Sequence, residues 1–523
     1  MRRGDVSVEY GFGYRITDNI ALPDIPACHV RSRLHGSYDL ERDRPALQVC
    51  LGPRLLGYAG PMADVSHPPT LMAGCKARFC SDPPEPDPML MQQFEEFVHN
   101  YCVSHYSPIP ADADVTPETW LSSTMYTKAR KDELMRCLDD EPELKSKHFV
   151  NLGHGKRETY MKFKHARAIN SRSDRYKVFS GPFFKLMEEE VYRDPAFIKH
   201  VPVCKRPDYI MEMLGKFPGP FYETDYTTFE RHFTPGFLGH CEMVLYRHML
   251  VNFPEVFDEI EDCMTGKNKC VFRDFTLVVD GKRMSGEMCT SLGNGFANLM
   301  LAKFVAHLQH QELVGVVEGD DGLFYSQVKL SAELFARLGF TIKIITHTNL
   351  LRSCFCGIMM SEDCITLTDP KKVLVNFGWS HSQQMFGGRN VRLGLLRAKA
   401  MSLLYEHPQC PILHALAKRY IELTECCAPR FSDNWYEKHL QREVADYWNE
   451  TIVKARKGPT TQARLDFSEI YGISVEQQEI AECYLSTAGL GPLTHWSLLS
   501  LFDESDSDLS IYSLDFVKKG TKF

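Results

Sequence analysis

The stretch Val316–Ser326, "VVEGDDGLFYS", places two adjacent carboxylates between two apolar runs. Short β-branched and aromatic runs separated by a Gly-Asp pair predict two strands around a tight turn. The turn at Gly319 then projects Asp320 and Asp321 from the tip, with the apolar side chains packed behind them. Asp and Gly are common turn residues, so a solvated turn explains the triplet equally well in isolation. What surrounds the hairpin decides between the two.

Around it the texture alternates. "YETDYTTF" follows a Pro/Gly turn and predicts a strand, then "LGHCEMVLYRHMLVNF" predicts a helix, and "KCVFRDFTLVVDGKR" predicts strand structure closed by a Gly turn. "SLGNGFANLMLAKFVAHLQHQEL" reads as a long amphipathic helix, and "SAELFARLGFTIKII" as helix, Gly and strand. Strands alternating with helices around one sheet predict an α+β core. The first ninety or so residues are rich in Pro and Gly and predict extended, looping structure. From about Asn376 the pattern is mostly helical, ending in the polar tail "LFDESDSDLSIYSLDFVKKGTKF", expected to be mobile at its tip.

Composition narrows the class. With 523 residues, 44% hydrophobic and 24% charged, the chain buries a large core and is not disordered. Its net charge of -8 announces no nucleic-acid partner, so any basic surface must be local. Eighteen scattered cysteines in so long a chain fit reduced thiols in a reducing compartment, and "CKARFC" and "CFC" lack the repeated spacing of a zinc site. No run of about 18 apolar residues is present, so membrane attachment would have to come from elsewhere.

Three further constellations accompany the hairpin. Asp225 ends the "YETDYTTFERHF" strand and Glu230 follows beyond a turn. If that strand neighbours the hairpin, three carboxylates converge and repel unless cations bridge them, and hard oxygen donors suit Mg²⁺ or Mn²⁺. The loop at Ser285 and Gly286 runs into a helix on which Thr290 and Asn294 are four apart and share a face, able to meet a sugar hydroxyl; helix capping is the structural alternative. Finally "GKRETYMKFKHARAINSRSDRYK" concentrates Lys156, Arg157, Lys162, Lys164, Arg167, Arg172, Arg175 and Lys177, interleaved with aromatics, in a chain that is acidic overall. That is the local patch suited to phosphates beside bases.

In this order (basic stretch, carboxylate strand, Ser-Gly loop with Thr/Asn helix, Gly-Asp-Asp hairpin) the sequence resembles the RNA-dependent RNA polymerases of positive-strand RNA viruses. "GKRMSGEMCTSLGN", "ARAINSRSDRYKV" and "FARLGFTIKI" resemble the tombusvirus and tombus-like branch in particular, over about Lys156 to Val375. The resemblance implies a closed right hand with an antiparallel palm sheet. Its parts would be an N-terminal extension (1–90) bridging fingers and thumb, fingers (91–220), palm (221–234), a fingers insertion (235–284), palm again (285–375), and thumb with tail (376–523). It implies that Asp225, Asp320 and Asp321 handle two Mg²⁺ or Mn²⁺ ions, and that Arg167, Lys164 and Arg172 hold the incoming triphosphate. Glu230, Ser285, Gly286, Thr290 and Asn294 would recognise the nucleotide's ribose, and Lys343 would protonate the leaving group.

The implied partners are nucleoside triphosphates, a single-stranded RNA template with its nascent strand, and another viral replication protein that supplies membrane attachment in the host cytoplasm. Three residues depart from the pattern of that family: Glu230 and Glu287 stand where Asp is usual, and Glu318 precedes Gly319. A reverse transcriptase would carry an aromatic gate near position 230 and no Thr/Asn helix face. A non-catalytic RNA-binding subunit would not need all three aspartates, and a two-metal nuclease would not need the triphosphate and ribose elements together.

Overall fold

The computed structural model describes residues 8–15, 30–34, 45–79, 83–432, 435–510 and 517–520. At its centre is a four-stranded antiparallel sheet of β1 (Phe221–Tyr226), β2 (Val314–Glu318), β3 (Asp321–Tyr325) and β4 (Ile342–His347), in the order β4-β1-β3-β2. Strand periodicity sorts the side chains. Tyr226, Val317 and Phe324 enter a core built largely of helices, whereas Phe221, Val316 and Leu323 enter a second, smaller core on the other face. Both faces are therefore covered at β2 and β3, which is why these two strands read as short apolar runs.

Three helices position residues around the end of this sheet: α1 (Pro68–Phe79), α2 (Arg206–Leu214) and α3 (Thr290–Leu308). The sequence predicts an amphipathic α3, but its buried residues run all round, from Leu292 to Ala306. A helix apolar on every side belongs in the interior, and α3 lies in the main core with Phe296, Leu299 and Phe304 buried. α2 packs over the opposite face through Ile210 and Leu214.

A second sheet has five strands in the order 30–34, 275–279, 268–271, 151–155, 168–172. All its pairings are antiparallel except that of 151–155 with 268–271. The basic stretch is thus not one strand: 156–167 connects two strands, and Arg175 and Lys177 begin the helix Asp174–Val191. C-terminal helices, among them Arg389–Glu406, Leu413–Leu423 and Trp435–Lys457, build a separate core.

The Pro/Gly-rich beginning of the chain is more ordered than its composition predicts. Pro68 opens α1 at a position where proline costs no hydrogen bond. Gly74 sits mid-helix because a Cβ there would lie 2.0 Å from the Ala166 carbonyl oxygen. Tyr14 and Ala63 join the core of the five-stranded sheet, while Val49, Leu51 and Leu55 join that of the C-terminal helices. A four-stranded sheet ordered 379–380, 46–50, 8–12, 517–520 ties this segment to the chain's last described strand. Residues 517–520 are thus paired, and the tail's tip at 521–523, expected to be mobile, lies outside the described residues. Among the described residues, no helix is long and apolar enough to cross a membrane.

Candidate active site

The β2–β3 connection is a two-residue turn in which Glu318 pairs with Asp321. Only Gly319 takes a positive φ, +61°, and Asp320 does not, as a type II′ hairpin requires. Asn298 of α3 fixes this tip from behind: its buried amide donates to the Gly319 carbonyl at 3.2 Å and to the Asp321 carbonyl at 3.0 Å. Sequence reasoning overlooked Asn298. The available signal was the four-residue spacing Thr290, Asn294, Asn298 along an otherwise apolar helix.

Antiparallel register brings the third acid alongside. Thr224 pairs with Gly322, so Asp225, one residue on, flanks Asp321, and its partner on the other side is Lys343 of β4. All three carboxylates reach solvent, since here the sheet's coverings stop. The protein walls are nevertheless close. Burial first and the charge of Asp320 second push the Asp321 carboxyl from 3.8 up to about 6, with smaller contributions from Glu318 and Asp225 and an opposing hydrogen bond from Cys356. Burial and then Glu230 raise Asp320 as well, opposed by Arg167 and Arg78.

Glu318 itself is bound in place. Its carboxylate meets Arg206 of α2 at 2.6 Å and Lys199 at 3.3 Å, and the Cys356 thiol lies 3.9 Å from it. It ties the hairpin to α2. Cys356 occupies the first corner of a turn closed by Phe355 and Ile358, with φ of +53° there and +78° at Gly357.

Glu230 returns toward Asp320 because Thr228, at φ +56°, turns the chain sharply after β1. Glu230 and Asn294, both expected at the ribose, are held differently. Glu230 is buried against Arg78 of α1 at 3.0 Å, while the Asn294 side-chain oxygen is buried without a hydrogen-bond partner. The extra methylene of glutamate lets this carboxylate reach a cation on an element whose composition predicts loop.

The basic residues divide. Arg167 is partly exposed, 3.4 Å from Glu158, and its charge reaches Asp320. Lys164 is exposed and engages the N-terminal segment instead, its backbone N–H donating to the Tyr14 hydroxyl at 3.1 Å. Arg172 is corrected: its side chain is 1% exposed and its Nε donates to Glu287 at 2.8 Å, so it faces the interior and not a ligand. Burial works against its charge, but Glu287 holds the guanidinium above its ordinary value. Thr290 is likewise turned inward. Its hydroxyl donates to the Glu287 carbonyl at 2.8 Å and stands 3.4 Å from the Gly286 N–H, which closes the loop as a cap would. Ser285 and Gly286 lie at the loop surface, half-buried.

The donor chemistry of Asp225, Asp320 and Asp321 is oxygen only, and burial together with neighbouring carboxylates (Glu230 for Asp320, Asp320 for Asp321) raises two of the three carboxyls, the condition that a hard divalent cation relieves. In kind, the residues fit such an ion. In spacing they are not drawn together: among the described residues no group of three or more His, Cys, Asp or Glu is gathered as a metal site.

Three carboxylates thus stand open to solvent at one end of an antiparallel sheet, with the charge of Arg167 felt at Asp320. Residues 241–393 match the family model described as RNA dependent RNA polymerase, and this stretch contains the hairpin, the Ser-Gly loop and α3. That matched domain indicates an RNA-directed RNA polymerase, a nucleotidyltransferase. No curated protein matches the chain.

Proposed function

We propose that this polymerase copies a viral RNA genome by template-directed addition of nucleoside triphosphates, with the carboxylate cleft as its catalytic centre. The observation that carries the reading is the placement of Asp320, Asp321 and Asp225 at one uncovered sheet end, with the charge of Arg167 felt at Asp320. Asp225, Asp320 and Asp321 would hold two Mg²⁺ or Mn²⁺ ions, whose chemistry is charge neutralisation around the transferring phosphoryl group. Arg167 grips the triphosphate, and Lys164 extends the basic approach to it. Ser285, Gly286 and the unpaired oxygen of Asn294 face the ribose, whose 2′-hydroxyl separates RNA from DNA precursors. Glu230, held by Arg78, sets the negative limit of that pocket. Lys343, beside Asp225, supplies a proton to the departing pyrophosphate.

On this reading the central sheet is the palm, the five-stranded sheet belongs to the fingers, and the C-terminal helices form the thumb. The cores that the described residues between 8 and 79 share with both regions support a fingers-to-thumb bridge. The tombus-like branch is the proposed affiliation. Replication in the host cytoplasm, with membrane attachment lent by another viral protein, completes the proposal. Labelled ribonucleotide incorporation on single-stranded RNA with Mg²⁺ or Mn²⁺ tests it. The intact chain incorporates and Asp320→Ala does not, a loss on the order of a thousandfold, equivalent to several kcal/mol of charge stabilisation. Glu230→Asp releases the Arg78 contact and alters the preference between ribo- and deoxynucleotides. Equal incorporation by Asp320→Ala and the intact chain would refute the assignment.

A further inference from the structure

Glu287, one of the three departures, stands at the crossing of two elements that the proposed function treats separately. Three consecutive residues of the strand Ala168–Arg172 bond to three consecutive residues of the Ser-Gly loop. The Asn170 N–H donates to the Ser285 carbonyl at 2.6 Å, the Ser171 hydroxyl to the Gly286 carbonyl at 3.2 Å, and Arg172 Nε to the Glu287 carboxylate at 2.8 Å. The loop lies flat on the strand. At Gly286, φ is +115° and a Cβ would stand 2.7 Å from Ile169 Cγ2, so only glycine permits the approach.

Behind the contact runs a buried chain of charges. Glu287 also meets Arg283 at 3.4 Å, Arg283 pairs with Glu242, and Glu242 accepts from the Tyr246 hydroxyl at 2.9 Å. Arg283 and Glu242 are wholly buried, and a Cβ at Gly293 of α3 would fall 2.2 Å from the Glu242 carboxylate. Two arginines and two glutamates balance in charge. Buried pairs of this kind add little stability over apolar residues of the same volume, because desolvation offsets the attraction, but they hold one geometry. Here the geometry held is the position of the Ser285–Gly286 loop relative to the strand that begins one residue after Arg167.

We propose that Glu287 is a positioning residue that locks the Ala168–Arg172 strand to the Ser285–Gly286 loop, so that triphosphate grip and sugar recognition are held at one fixed separation. The inference rests on the nucleotide-handling role of the cleft. A loop free to slide on the strand would let a sugar sit at variable depth while its phosphates stay on Arg167. Misplacement of about 1 Å is enough to cost up to a hundredfold in such a site.

The test compares Glu287→Gln, the double variant Arg172→Met/Glu287→Met, and Arg167→Ala in the full chain. The double variant leaves no unpaired buried charge, so its thermal midpoint stays near that of the intact chain. For both Glu287 variants the expected result is an NTP KM raised about tenfold or more and ribo-over-deoxy selectivity lowered several-fold, with unchanged affinity for the RNA template. A double variant with intact KM and selectivity would overturn the proposal and leave the network purely architectural. Arg167→Ala separates the two levels: if it raises the NTP KM while the double variant does not, only this inference fails. If Arg167→Ala leaves the KM unmoved, the nucleotide reading fails and the inference with it.

Discussion

Two groups of acids in this molecule are treated in opposite ways. Glu242 and Glu287 are almost wholly buried, and each is matched by an arginine. Asp225, Asp320 and Asp321 are open to solvent, and the two hairpin acids are pushed toward the protonated form, Asp321 by burial and then Asp320, Asp320 by burial and then Glu230. A folding chain that satisfies its most buried carboxylates had arginines available for the exposed ones, and it stops Arg167 short of a salt bridge with them, pairing it with Glu158. Unrelieved repulsion at a surface that could have been neutralised marks the place where a ligand's charge is expected. Complete pairing marks a place where shape matters.

The sharpest way to break this contrast is to remove one arginine from the buried group. Arg283→Met strips Glu242 of its counter-charge in a site with no solvent, and breaking such a pair costs about 3–5 kcal/mol. Chemical denaturation should show that loss as a lower midpoint with unchanged slope. Asp320→Asn, in the exposed group, should show none and still fail to incorporate nucleotides. If the two variants exchanged behaviours, the assignment of architecture to one group and chemistry to the other would be wrong.

The sequence discloses the exposed group far better than the buried one. β2 and β3 are short β-branched runs around Gly319, and Asp225 is the penultimate residue of β1 after alternating Tyr and Thr, so local pattern alone places these acids at or next to strand ends. The long helix α3 and the helix-Gly-strand unit ending in β4 are equally legible. Partner choice is not. Arg172 and Arg167 look alike in sequence, yet one is buried on Glu287 and the other borders the cleft. Nothing local distinguishes an arginine that meets a ligand from one that meets a glutamate 115 residues away. Arg78 escapes notice for the same reason, compounded by a Pro/Gly-rich neighbourhood that hides α1. Thr290 shares a helix face with Asn294 as its spacing requires, but its hydroxyl is spent on the loop's own backbone.

Asn298 connects the two regimes, since it is a buried polar residue that serves the exposed acids. Asn298→Ala removes both donors to the turn and leaves the Gly319 and Asp321 carbonyls without them. Losing two such bonds should cost about 1–3 kcal/mol. Activity should fall by more than stability alone accounts for, because the hairpin tip that carries Asp320 is no longer held against α3. Incorporation measured well below the unfolding temperature distinguishes the two contributions. Asn298→Ala with normal incorporation would mean that the β2–β3 pairing alone fixes the tip.

The smallest effect expected is the most direct reading of the repulsion itself. A carboxyl raised from 3.8 to about 6 binds its proton more tightly in the folded protein than in the unfolded chain, so stability must decline as pH rises through that window. In metal-free buffer with a chelator, the thermal midpoint of the intact chain should therefore fall relative to that of Asp321→Asn between about pH 4 and 6. Asp321→Asn removes that proton site and the charge that Asp320 opposes, so its midpoint should exceed that of the intact chain at pH 7. Solvent screening at these exposed side chains keeps the difference small. Adding Mg²⁺ at pH 7 should restore stability to the intact chain and do less for Asp321→Asn, because the ion relieves a repulsion that the variant no longer has. The buried glutamates give no such response, since their charges are already matched. If intact chain and variant declined in parallel, water alone would be screening the cleft acids, and the two groups would differ in exposure but not in stored electrostatic strain.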